Sequence, residues 1–229
     1  MSTTSVAPPP RAAGARYYAW LYTPANARDG AAALLSIEHE IMAGIRPGLD
    51  HAVAHSRLGW WQEETERLNA SIPQHPAALA ARNGFLAAGL SSPDLRALPE
   101  LAARELARRT LGRGPATVDE ASAEAILWAE GLFRPFARLA APEAGVDASA
   151  VALGRALHAH EHALADPTRA ALDSVLRALP APLTPALCSG IVWATLALRL
   201  PNTRATRREA FAENWAAWRA ARRALRGRT

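Results

Sequence analysis

The chain has 229 residues, half of them hydrophobic, with 26 basic residues against 21 acidic ones and a formal net charge of +5. That length is enough to bury a proper core, and the apolar content excludes a disordered polymer. A single cysteine, Cys188, excludes a disulfide framework and a cysteine metal cluster, so a reducing, cytoplasmic setting is expected.

Every basic residue is arginine, and lysine does not occur. Surplus positive charge would suit nucleic acid or an anionic membrane surface. An alanine-rich, arginine-only composition also follows from GC-rich codon usage, and this explanation outweighs binding; nucleic acid is disfavoured as a partner. The N-terminus lacks a basic region followed by a long apolar core, so no secretory signal is expected. The longest apolar run, Ile191 to Leu198, is too short to span a bilayer. With aromatic residues at only 6 %, alanine and leucine must fill most of the core. Both lead the helix scale and β-branched residues are sparse, so the expected fold is all-α.

In chain order, residues 1–15 hold Pro8, Pro9 and Pro10 among small residues and read as a disordered tail ahead of one helical domain over 16–229. Tyr17, Tyr18, Trp20, Leu21 and Tyr22 predict a short aromatic helix that breaks at Pro24. A second helix is predicted from near Asn26 past Met42, ended by Gly44, Pro47 and Gly48. Further helices are expected over Leu49–Asn69, Ala77–Leu90 and Leu95–Leu111. Thr117–Leu139 follows, which Thr117 and Asp119 can cap and which has Glu120 downstream. Ser149–Leu164, Thr168–Leu179, Pro185–Leu200 and Ala205–Leu225 complete the set. In the last of these Phe211, Trp215, Trp218 and Leu225 recur at helical spacing, with Arg207, Arg208, Arg219, Arg223 and Arg226 mostly off that line. The expected arrangement packs the aromatic stripe on the domain and solvates the arginines, the alternative being peripheral contact with a membrane or an acidic partner.

The most distinctive stretch is Arg57-Leu58-Gly59-Trp60-Trp61-Gln62-Glu63-Glu64, closed by His75-Pro76. Helical spacing puts Arg57, Trp61, Glu64 and Leu68 on one stripe. Residues alone predict Trp60 and Trp61 as core anchors and an ion pair from Arg57 to Glu64 or Glu63.

These residues, with Tyr17 to Pro24, Arg28, Leu34 to Ile37 and weaker likeness at Ala123–Leu139 and Leu153–Leu157, resemble the squalene/phytoene synthase family. The resemblance covers most of residues 16–200. It implies an isoprenoid-synthase-like helical bundle, condensation of two prenyl diphosphates, and Mg²⁺ held by two Asp-rich motifs that neutralise the diphosphate leaving group. It also implies Tyr18, Arg28, Glu40, Arg57, Trp61 and Glu64 as substrate-binding candidates.

Both Asp-rich motifs are missing. The first position reads Ile37-Glu38-His39-Glu40-Ile41, whose glutamates point to different sides of a helix; the second reads His158-Ala159-His160-Glu161-His162, with Asp166 the one matching aspartate. His158, Glu161 and His162 could share a face and form a weak metal candidate, lacking the glutamate directly after the first histidine that zinc proteases carry. The chain looks closest to a branch of the family that keeps the double-tryptophan and His-Pro stretches while losing carboxylates, a branch that includes a mitochondrial assembly factor for respiratory complex I. The expectation is a protein that retains the fold for binding an isoprenoid, a prenyl diphosphate or a protein partner, without metal-dependent prenyl transfer. The alternatives are an active prenyltransferase using Mg²⁺ with Glu38, Glu40 or Glu64, and a membrane-surface scaffold acting through the C-terminal helix.

Overall fold

The computed structural model describes residues 14–113, 116–142, 145–163, 166–199 and 207–227. Among them the regular structure is entirely helical. The proline-rich lead-in predicted for 1–15 lies outside the described residues except for Gly14 and Ala15.

The first helix, α1, runs Ala15–Leu21 and stops where Thr23 turns its hydroxyl back onto Ala19 O (3.0 Å). Arg28 holds this corner by donating from Nε to Thr23 O (3.0 Å) and from Nη2 to Leu21 O (2.9 Å). A 3-10 turn, Ala25–Ala27, leads into α2, Arg28–Gly44. Asp50 caps α3, His51–Asn69, by accepting from Ala52 N and Val53 N, and Pro76 opens α4, Pro76–Ala87. Helices α2 and α4 cross at Gly30 and Gly84, where a Cβ on Gly84 would stand 2.4 Å from Gly30 Cα. Only two glycines permit that approach.

Helix α5 covers Ala97–Thr110 and α6 covers Val118–Trp128, capped by Thr117 in a reciprocal box with Glu120 rather than by Asp119. The predicted single helix to Leu139 is interrupted by a π-helical turn, Ala129–Phe133, before α7, Arg134–Ala140, which begins with Pro135 in its first turn. Helices α8, Asp147–Ala163, and α9, Asp166–Ala178, follow. Then come a 3-10 turn at Ala181–Leu183, α10 at Cys188–Ala197 and α11 at Arg207–Leu225.

One continuous core runs through the bundle. Its centre is α10, buried nearly all round, against which α1, α8 and α11 pack. Phe133, Phe136, Trp128 and Trp193 meet there, with ring centroids 5.5 to 6.0 Å from Trp193. Gly154 and Gly190 leave room for Phe133, since a Cβ at either would come within 3 Å of its ring or Cβ.

Two expectations fail in the packing. Trp60 is not a core anchor, since it remains 38 % exposed. On α11 the buried face is Glu213 with Ala216, Ala217, Ala220, Ala221 and Ala224, while Trp215 and Trp218 point outward. The small alanines win the inner face because α11 lies close on α10, where Cys188 Sγ approaches Ala221 O (3.9 Å). Thr184 beside them donates to Ala224 O (3.0 Å). Phe211, Arg207 and Arg208 have side chains outside the described residues.

Candidate functional site

A cleft opens between α2, α5, α6 and α8, in two chambers of about 420 and 870 Å³ that share Glu105, Arg108, Glu124, His158 and His162. The smaller chamber reaches Arg16, Glu38 and Trp128; the larger runs between α6, α8 and α9 over Ala121, Ala125, Ala152, Ala156, Ala159 and Val175. Volumes of this size suit small-molecule ligands.

The inner wall is a network. Glu38 is buried and forms a two-pronged ion pair with Arg16, one prong being Nη2 to Oε1 at 2.9 Å. The Trp128 indole donates to the same Oε1 (3.1 Å), and the Arg16 guanidinium lies over the Trp193 ring, 5.2 Å from its centroid. Three donors and a cation on one buried carboxylate offset the cost of taking it out of water. The signal for this residue was in the sequence: Glu38 sits four after Leu34 and three before Ile41, a charge at core spacing on α2.

Between the chambers, Arg108 pairs with both Glu105 and Glu124, and Arg109 Nη2 reaches Glu105 Oε1 (2.7 Å). Sequence reasoning missed this cluster, because Glu124 and Arg108 come together only when α5 docks on α6. Among the described residues, the three carboxylates that line the cleft therefore have arginine partners.

His158 and His162 do share a face, their ring centroids 4.1 Å apart, and His158 also lies 5.5 Å from the Trp128 ring. Burial above all, with the neighbouring His162 ring and Arg16 guanidinium, pushes the His158 imidazole down to about 3, so it is neutral. Glu161 does not join them. It accepts from Trp193 Nε1 (2.9 Å) instead. Among the described residues no three His, Cys, Asp or Glu converge on a point that could hold a metal ion. The side chain of Asp166 lies outside the described residues. No protein-family model, curated protein or solved structure matches the chain.

The six substrate-binding candidates fall elsewhere. None lines either chamber. Tyr18 is buried in α1, its ring 5.3 Å from Tyr17, and burial reinforced by the Glu213 charge raises its hydroxyl pKa. Arg28 is the clamp on the end of α1. Glu40 and Arg57 are exposed.

Trp61 and Glu64 are buried, and with His75 they form a clasp. Glu64 Oε1 accepts from Gln74 N (2.8 Å) and His75 N (2.7 Å), while Oε2 accepts from Arg67 Nε (2.7 Å). The His75 ring packs 4.8 Å from Trp61 and 5.7 Å from Trp60, and its Nδ1 accepts from Ala77 N (3.2 Å) to cap α4. The predicted ion pair from Arg57 is thus replaced by one from Arg67, which also contacts Glu63 and lies over Trp60. Arg67 sits three residues after Glu64 and can meet a carboxylate already turned inward to the loop, whereas Arg57 lies two turns back toward solvent.

Proposed function

We propose that the protein is a squalene/phytoene synthase-like helical protein that lacks metal-dependent prenyl transfer and holds an apolar, isoprenoid-class chain in the α6–α8–α9 chamber. The observation that carries this reading is the neutralisation of the cleft: Glu38, Glu105 and Glu124 are each tied to arginine. The resemblance assigns the two Asp-rich motifs to α2 and α8, the helices that border the smaller chamber. Mg²⁺ requires several oxygen ligands in near-octahedral geometry and keeps part of its water. The residues present do not fit that demand, since the carboxylates are engaged and His158 and His162 offer nitrogen instead.

The chamber wall of alanines and valine can shelter an extended hydrocarbon, and Ser122, Thr168 and Arg155 at its lining can orient a polar end. Incubation of the purified protein with farnesyl or geranylgeranyl diphosphate and Mg²⁺ tests the first half. The expected result is no squalene or phytoene above a heat-killed control, and EDTA-sensitive product would overturn it. Quenching of tryptophan fluorescence by farnesol tests the second half. Saturable quenching that Ala125→Phe combined with Ala156→Phe abolishes is expected; quenching unchanged in that variant would remove the chamber from the reading.

A further inference from the structure

A groove of about 290 Å³ that shares no lining residue with the cleft runs between α9, α10 and α11. Its rim carries Arg169 and Arg177 from α9, Arg199 just past α10, and Arg219 and Arg223 from α11. The one acidic residue there, Asp173, is already paired with Arg177. Among the described residues the other four arginines have no carboxylate within ion-pair reach. Elsewhere Arg16, Arg67, Arg96, Arg104, Arg108 and Arg134 each have one, while Arg28 and Arg82, which do not, donate to backbone carbonyls. Arg46, Arg57 and Arg155 also lack a carboxylate partner among the described residues, but on this groove four such arginines line one surface.

The floor of the groove is apolar, built from Leu176, Ile191 and Leu198 with Ala216 and Ala220. Next to it, on the outward side of α11, Trp215 and Trp218 stack with centroids 4.9 Å apart and stand 52 % and 38 % exposed. The Arg222 guanidinium lies 4.8 Å from the Trp218 ring. Tryptophan has an apolar body with a polar N–H and partitions to the membrane–water boundary, and arginine clusters beside it are drawn to anionic headgroups. Single-stranded nucleic acid fits less well: bases need open aromatic faces, and here Trp215 and Trp218 cover each other while Arg222 lies over Trp218.

We propose that the α9–α10–α11 face docks on an anionic phospholipid surface, with the arginine rim receiving lipid phosphates and Trp215 and Trp218 entering the headgroup layer. This does not depend on what occupies the cleft. Each arginine near an anionic surface strengthens binding on the order of fivefold, so losing two should weaken it roughly 20-fold.

The test is co-sedimentation of the full chain with phosphatidylcholine vesicles, with and without phosphatidylglycerol. Binding only to the phosphatidylglycerol vesicles, weakened by salt, is expected. Arg219→Gln with Arg223→Gln should lose it roughly 20-fold, Trp215→Ala with Trp218→Ala should also weaken it, and Arg46→Gln in the exposed loop between α2 and α3 should leave it unchanged, all with wild-type circular dichroism. Should the groove variant fail to fold, the tryptophan variant and the lipid and salt dependence decide the matter. Equal binding to both vesicle types overturns the proposal, as does none to either. Retention of a single-stranded oligonucleotide without vesicle binding assigns the face to nucleic acid and also overturns it. Displacement from vesicles by millimolar inorganic phosphate that an equal ionic strength of chloride does not reproduce identifies a free-phosphate site instead.

Discussion

Replacing Glu64 by alanine should be among the most damaging single changes to the protein, although Glu64 lies outside the cleft. The side chain is 1 % exposed, and its two oxygens accept three hydrogen bonds, from Gln74 N, His75 N and Arg67 Nε. Bonds to a carboxylate contribute about 1.5 to 3 kcal/mol each, and removing one partner of a buried ion pair costs about 3 to 5 kcal/mol. Gln74 is exposed and Arg67 is partly so, which lets water replace some of what is lost. The expected destabilisation is therefore about 4 kcal/mol, or on the order of 10 °C in Tm for a chain of this size. Glu64→Gln keeps the volume and can still accept from the loop, but turns an amide toward Arg67 Nε, so about half the loss is expected. Thermal unfolding followed by circular dichroism gives the totals. Hydrogen exchange should show the amides of Gln74 and His75 opening first. An alanine variant within about 1 kcal/mol of wild type, with those amides still protected, would refute the clasp and return Glu64 to the list of residues kept for chemistry.

The His158 imidazole, held at about 3 when folded, would titrate near 6.5 in the unfolded chain, so the unfolded state takes up the proton first as pH falls. Stability should drop by about 2 kcal/mol between pH 7 and pH 5 from this group alone; urea titrations of wild type and His158→Gln should differ in slope over that window, and parallel profiles would argue against it. Gly84→Ala should cost about 3 kcal/mol or more, because the new Cβ meets Gly30 backbone rather than a movable side chain; chemical denaturation measures it, and a neutral effect would mean that α2 and α4 separate easily. Burial pushes the Cys188 thiol up to about 11, so iodoacetamide at pH 8 should label it only after unfolding. Labelling of the native protein at the rate of a free thiol would contradict its packing against α11.

Helix positions were legible because alanine and leucine recur with punctuation by proline and glycine. The structure starts and stops helices within a few residues of where Pro24, Gly48, Pro76 and Thr117 indicate. Orientation was harder. On α11 the larger apolar side chains drew attention to the wrong face, since hydrophobic size says nothing about how near the neighbouring helix will come. At the double-tryptophan stretch the clustering was visible but the partners were not. Glu64 is satisfied by a loop ten residues on, and local helical spacing cannot see a loop. The cleft was the least legible part, because Arg16, Glu38, Trp128 and Arg108 come from four helices and meet only after docking. His158 and His162 were found because their spacing is local; Glu161, between them in sequence, turns to Trp193 for a partner that is 32 residues away.

The π-helical turn at Ala129–Phe133 has a consequence for how this chain can change over generations. An extra residue in a helix advances everything beyond it by about 100°. The wide turn absorbs that advance, and it brings Trp128 and Phe133, five positions apart, to a centroid separation of 5.8 Å. Loss of a single codon here would restore a regular helix and rotate Phe136 away from Trp193 of α10 and Leu139 away from Gly30 of α2, both side chains now being buried. Point substitutions along α6 and α7 can be tried one at a time, but the length of this segment is fixed, and a homologue that shortened it would have to rebuild the aromatic centre at the same step.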